Sequence, residues 1–162
     1  MNFESFEDIK VLMDNFDPAS LLPDLTSVVG LVEFLTRLAV VAGPIVLLIL
    51  GILYLFVSPK EANYHFGYRC FFGMGSVEAW RFTQKIAGIL WTVLGVTLLV
   101  ISLLVSNQFP DLEPSVMLDK AVVCILWQIG ITLVLSLLIN LFIALRYDRN
   151  GDLRSEKNLN KK

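Results

Sequence analysis

The sequence predicts an all-α membrane protein, with three transmembrane helices preceded by an N-terminal amphipathic helix. Three uncharged runs carry that expectation: Leu38–Val57, Ile86–Val105 and Ala121–Leu145, of 20, 20 and 25 residues. A run of roughly 18 or more apolar residues is long enough to cross a bilayer. Composition agrees, with 56% hydrophobic and 17% charged residues against about 45–50% and about 25% in soluble domains. The mean hydropathy is +0.69.

Helices follow from the solvent. The hydrocarbon core offers no water, so backbone N–H and C=O groups must pair within a segment or around a closed barrel. Barrel strands alternate apolar and polar residues, whereas Val46–Phe56 reads VLLILGILYLF, apolar on every side. The three runs take 65 of the 162 residues. The expected organisation is an external segment over 1–23, a membrane domain over 24–146 with a loop at 58–85, and a polar tail over 147–162.

Within residues 1–23, Phe3, Phe6, Ile9, Met13 and Phe16 recur at helical spacing, with Glu4, Glu7, Asp8 and Asp14 around them. Two readings stand: a helix lying on the outer membrane surface, or a docking helix for a partner protein. Its acidic polar face is wrong for anionic lipid. The first 30 residues lack a basic stretch leading into an apolar core, so no cleavable signal peptide is expected. From Asp24, DLTSVVGLVEFLTR continues into the first membrane helix, which contains Pro44. A short connection with two prolines, NQFPDLEPSVMLD, joins the second and third helices, and the tail from Arg146 to Lys162 reads as mostly disordered.

Lys and Arg set the expected orientation. Ten lie in the 58–85 loop and the tail from residue 146, and three lie in residues 1–37 and 106–120. The loop and the C-terminus are therefore expected in the cytoplasm, and the N-terminus outside. Cys70 falls in the loop and Cys124 in the third helix, so no disulfide is expected between them.

On the third helix Cys124, Gln128, Thr132, Ser136 and Asn140 stand four residues apart. Each step turns the helix by about 40° past a full turn, giving one drifting polar stripe. Such side chains face the bundle interior or a cavity, because lipid cannot satisfy them. A packing seam and a polar path or ligand groove both fit. None of the three runs contains Asp, Glu, Lys, Arg or His, which argues against a proton relay or ion pump. Gly88, Thr92 and Gly95 on the second helix, and Ala39 and Gly43 on the first, are small enough for close helix approach.

The first loop reads PKEANYHFGYRCFFGMGSVEAWRFTQKIAG. Asn63, Gly67, Tyr68, Arg69, Met74, Glu78, Trp80, Lys85 and Gly88 match the signature of the SdpI family, membrane proteins named for immunity to a sporulation-delaying peptide toxin. Trp80 follows Arg69 by the family's eleven residues. The departures are Cys70 for Thr, Gly73 for Ser and Gln84 for Asn. The resemblance covers roughly residues 45–105. It implies a non-enzymatic protein of the bacterial cytoplasmic membrane that resists a membrane-active peptide or toxin by binding. Asn63, Tyr68, Arg69, Trp80 and Lys85 are then the candidate contact residues.

Arg69 can fork onto a carboxylate or phosphate; equally, Arg69 and Trp80 can anchor the loop at the interface. His65 has no Cys or carboxylate at metal-ligand spacing, and no Ser-His-Asp set, phosphate loop or acidic dyad is present. No catalytic residue, metal, cofactor or nucleic-acid partner is expected. The expected partners are the bilayer and another membrane protein, a peptide toxin or a second copy. Small size, the polar stripe and the N-terminal helix favour a different role, as an accessory subunit of a larger membrane complex. A small transporter protomer is a third.

Overall fold

A computed structural model describes residues 25–59, 61–62 and 66–155. The amphipathic helix expected over 1–23 lies outside the described residues. Three long helices follow in order: α1 (Leu25–Phe56), α2 (Val77–Ser106) and α3 (Pro114–Arg146). All three are long and apolar enough to cross a membrane, and the chain is an all-α, multi-pass membrane protein. At 1.5 Å per residue they run about 45–50 Å, past a hydrocarbon core of about 30 Å, so their ends stand in the headgroup regions.

Local chemistry sets the helix ends. Ser76 caps α2, its Oγ accepting from the Ala79 N–H at 3.1 Å. Pro114 opens α3 at a position where its missing N–H costs nothing. Between α2 and α3 a 3-10 turn at Phe109–Asp111 tucks Phe109 inward, leaving it 1% exposed.

Two buried clusters stand at opposite ends of the bundle. One gathers Val40, Phe109, Met117 and Ala121; the other gathers Tyr68, Ala79, Ala87, Ile139, Ile143 and Tyr147. Between them, α1 and α2 meet almost backbone to backbone. A Cβ on Gly51 would lie 2.6 Å from the Thr92 amide nitrogen, and one on Gly95 would lie 2.7 Å from that of Leu48. The α2 residues are those expected at a close helix contact. Their counterpart is Gly51, however, and not Ala39, which faces outward. Gly43 instead meets Gln128 of α3. Outside these contacts the helices present Phe34, Leu104, Leu126 and Leu137 to their surroundings, as lipid-facing surfaces do.

The tail corrects an expectation. Residues 147–155 are folded, not disordered, and 156–162 lie outside the described residues. Tyr147 and Leu153 form an antiparallel bridge, and Asp148 Oδ1 accepts from the Asn150 and Asp152 N–H groups at 2.9 and 3.0 Å. Gly151 takes φ +81° at the bend. The turn docks on the start of α2, where the Ser76 hydroxyl donates to the Gly151 carbonyl at 2.9 Å. Tyr147 is 1% exposed. The specific Asp148–Gly151 turn outweighs the polar composition around it.

Candidate functional site

The signature loop is a folded cap. Its centre is Gly67, at φ +127°, where a Cβ would lie 2.6 Å from the edge of the Trp80 indole. Only glycine fits there, both for the backbone conformation and for the space. Trp80 stands on the first turn of α2 and is wholly buried. Its Nε1–H donates to the Pro59 carbonyl at 2.9 Å, which ties the end of α1 to the start of α2.

Gln84, one turn further along α2, holds the next residue of the loop. Its Oε1 accepts from the Tyr68 N–H and its Nε2 donates to the Tyr68 carbonyl, each at 2.8 Å. A side-chain amide pairing with both backbone groups of one residue copies a sheet-like contact and leaves neither buried group unsatisfied. That pairing sends the Tyr68 ring into the bundle, edge-on to Tyr54 and Trp91 at centroid distances of 6.2 and 5.7 Å. The phenol lies 3.1 Å from the Ser136 carbonyl and 3.2 Å from Asn140 Oδ1, both on α3. Burial pushes the Tyr68 hydroxyl above its ordinary value, with the neighbouring Cys70 adding to the effect, so it stays a neutral donor. Burial likewise pushes the Cys70 thiol up, and a protonated thiol is a poor nucleophile.

The candidate contact residues thus divide by position. Tyr68 and Trp80 point inward and build the cap, whereas Arg69 and Lys85 are exposed. Asn63 lies outside the described residues. Beside the cap, a groove of about 520 Å³ opens between α1 and α2, lined by Tyr54, Ser58, Pro59, Arg81, Gln84 and Lys85. Ser58 Oγ is buried there without a hydrogen-bond partner among the described residues. Gln84 lines the groove but spends both amide atoms on Tyr68.

The polar stripe of α3 falls into two parts. Gln128 is buried, and its Nε2 lies 3.0 Å from the Val40 carbonyl, 2.9 Å from Ser102 Oγ and 3.5 Å from Cys124 Sγ. It thereby touches all three helices. Thr132 returns its hydroxyl to the Gln128 carbonyl at 2.7 Å. Ser136 and Asn140 meet Tyr68 at the other end. Gln84 was not among the residues singled out from sequence, although its place in the signature, where the family has Asn, marked the position.

A model of the SdpI/YfhL protein family matches residues 59–147, more than half of the chain. The match starts later than the resemblance read from the loop, and extends it through the whole of α3 to Tyr147. No curated protein and no solved structure matches the chain. The matched stretch contains both the cap and the α3 groups that receive Tyr68, and the chain belongs to the SdpI/YfhL protein family.

Proposed function

We propose that this SdpI-like membrane protein acts by binding, without catalysis, and protects a bacterial cytoplasmic membrane against a membrane-active peptide or toxin. The observation that carries the reading is the cap: a loop fixed by Trp80, Gln84 and Tyr68 that leaves Arg69 and Lys85 on its outer surface. A fixed scaffold lets exposed cations engage a carboxylate or phosphate at little ordering cost. Membership of the SdpI/YfhL family supports, as the proposed class of partner, a membrane-active peptide. In this reading the cap faces the cytoplasm, where basic residues are favoured, and residues 1–23 lie outside.

The test is to expose cells with and without the chain to the sporulation-delaying peptide, following membrane potential by dye fluorescence. Cells holding the protein keep their potential at doses that depolarise the controls. Depolarisation at the same dose defeats the immunity reading. Stoichiometric recovery of other membrane subunits in mild detergent then favours the accessory-subunit role.

Orientation has its own check. Single cysteines at Ser5 and Ser155, in a background lacking Cys70 and Cys124, are treated with an impermeant maleimide in intact cells. Labelling of the Ser5 site alone fits the proposed topology; labelling of the Ser155 site alone reverses it.

A further inference from the structure

The contact between α2 and α3 is unlike that between α1 and α2. The two helices part to leave an apolar crevice of about 580 Å³, whose walls include Ile86, Ile89, Leu138, Phe142 and Leu145. That volume is in the range of small-ligand sites, yet no polar group within it could orient a water-soluble ligand. A second groove of about 460 Å³ lies at the next turns of the same two helices, past Lys85 on α2 and Arg146 on α3, and is lined by Glu78, Arg81, Phe82, Lys85, Arg146 and Tyr147. The junction falls within single steps of sequence: Lys85 to Ile86 on one wall, Leu145 to Arg146 on the other.

Arg146 is held in place at this mouth. Its guanidinium sits 4.1 Å from the centroid of the Phe82 ring, and Phe82 stacks on Phe142 at 6.1 Å. Cation–π contact of this kind fixes the side chain while leaving its N–H groups available to an anion. Against the three cations stands one carboxylate, Glu78, so the mouth carries a net positive charge.

We infer that the α2–α3 furrow is a binding site for an acidic phospholipid, with its phosphate at Lys85 and Arg146 beside Arg81 and one acyl chain in the crevice. The change from apolar wall to basic mouth occurs along one pair of helices, at adjacent residues on each, and follows the order in which a phospholipid presents its tail and headgroup. Basic pockets between membrane helices bind acidic headgroups by this chemistry. A free anion would use the mouth alone and leave the crevice unexplained. A second copy packed in parallel would bring its own Arg81, Lys85 and Arg146 to the same depth with one carboxylate, Glu78, among them, so like charges would oppose one another.

The experiment is native mass spectrometry of the purified full chain in detergent, with equimolar phosphatidylglycerol and phosphatidylcholine of identical acyl chains. Wild-type protein retains phosphatidylglycerol with a preference of roughly twenty-five-fold, about fivefold for each of two cations near the headgroup. The K85Q/R146Q pair brings the preference close to one, while R149Q, on the tail turn, leaves it in place. Should K85Q/R146Q fail to fold, salt dependence on the wild type reads the same interaction: the preference shrinks as ionic strength rises. K85R/R146K keeps it. Equal retention of both lipids by the wild type overturns the inference, as does a preference that survives K85Q/R146Q or raised salt. An equal loss in R149Q assigns the effect to overall surface charge. Displacement of the lipid by inorganic phosphate alone, at constant ionic strength, makes the mouth a free-anion site and also overturns it.

Discussion

The inner and outer faces of the 58–85 cap are made from neighbouring residues and do opposite things. Inward, Gly67, Tyr68, Trp80 and Gln84 interlock so closely that a single added methyl at Gly67 would strike the indole. Outward, Arg69 and Lys85 stand exposed, one residue on from Tyr68 and Gln84 respectively. The contrast teaches that a sequence signature need not mark a ligand site residue by residue. Part of it specifies the platform, and the remainder is what the platform presents. Substitutions on the two faces should therefore separate stability from function.

The largest effect is expected at Trp80. Trp80→Ala empties a wholly buried site and removes the bond to Pro59, a loss of about 3–5 kcal/mol; thermal melting in detergent should show a large drop or no folded protein. A melting temperature near wild type would mean that the inner face does not hold the cap. Gln84→Leu comes next, because it strands the N–H and C=O of Tyr68, at about 1–3 kcal/mol for each unsatisfied group. The same melts read it. Tyr68→Phe keeps the ring among Tyr54 and Trp91 and loses only the hydroxyl contacts to α3, costing about 1 kcal/mol. If Tyr68→Phe were as damaging as Gln84→Leu, the loop would depend on α3 and not on α2.

The smallest effect concerns Cys70. Its folded pKa is raised by burial above the ordinary 9.0, so its proton stabilises the folded state below that value and the contribution is lost as pH rises above it. Maleimide should label Cys70 several-fold more slowly at pH 8 than a cysteine placed at exposed Ser155. Melting should begin to fall only in the alkaline range. Rapid labelling of Cys70 at pH 8 would place its thiol on the outer face.

The three spans were legible because lipid imposes one requirement over about 20 residues at a time, and an uncharged run of that length reports it directly. The partners were less so. Gly88 and Gly95 announced a close approach by their size, but Gly51 is one of several small residues on α1, and only the crossing point of the helices selects it. Gln84 bonds a residue sixteen positions earlier, which requires knowing that the loop turns back on α2. Trp80 reads alike in sequence whether it anchors at an interface or lies buried under a glycine. The Asp148–Gly151 turn carried its signal openly in Asp-Arg-Asn-Gly-Asp, and was hidden by the polar residues that follow.

The most direct measurement places both faces in one comparison: peptide challenge of cells carrying Arg69→Ala/Lys85→Ala, scored for membrane potential, beside blotted abundance and the melting temperature of the purified variant. Exposed positions of this kind cost within about 0.5 kcal/mol each, so abundance and melting should match wild type while protection is lost. Arg69→Lys, which keeps the charge and loses the planar fork, should protect only in part. Full protection by Arg69→Ala/Lys85→Ala at normal abundance would contradict the account, and would leave the cap a structural connector whose exposed cations take no part in the work.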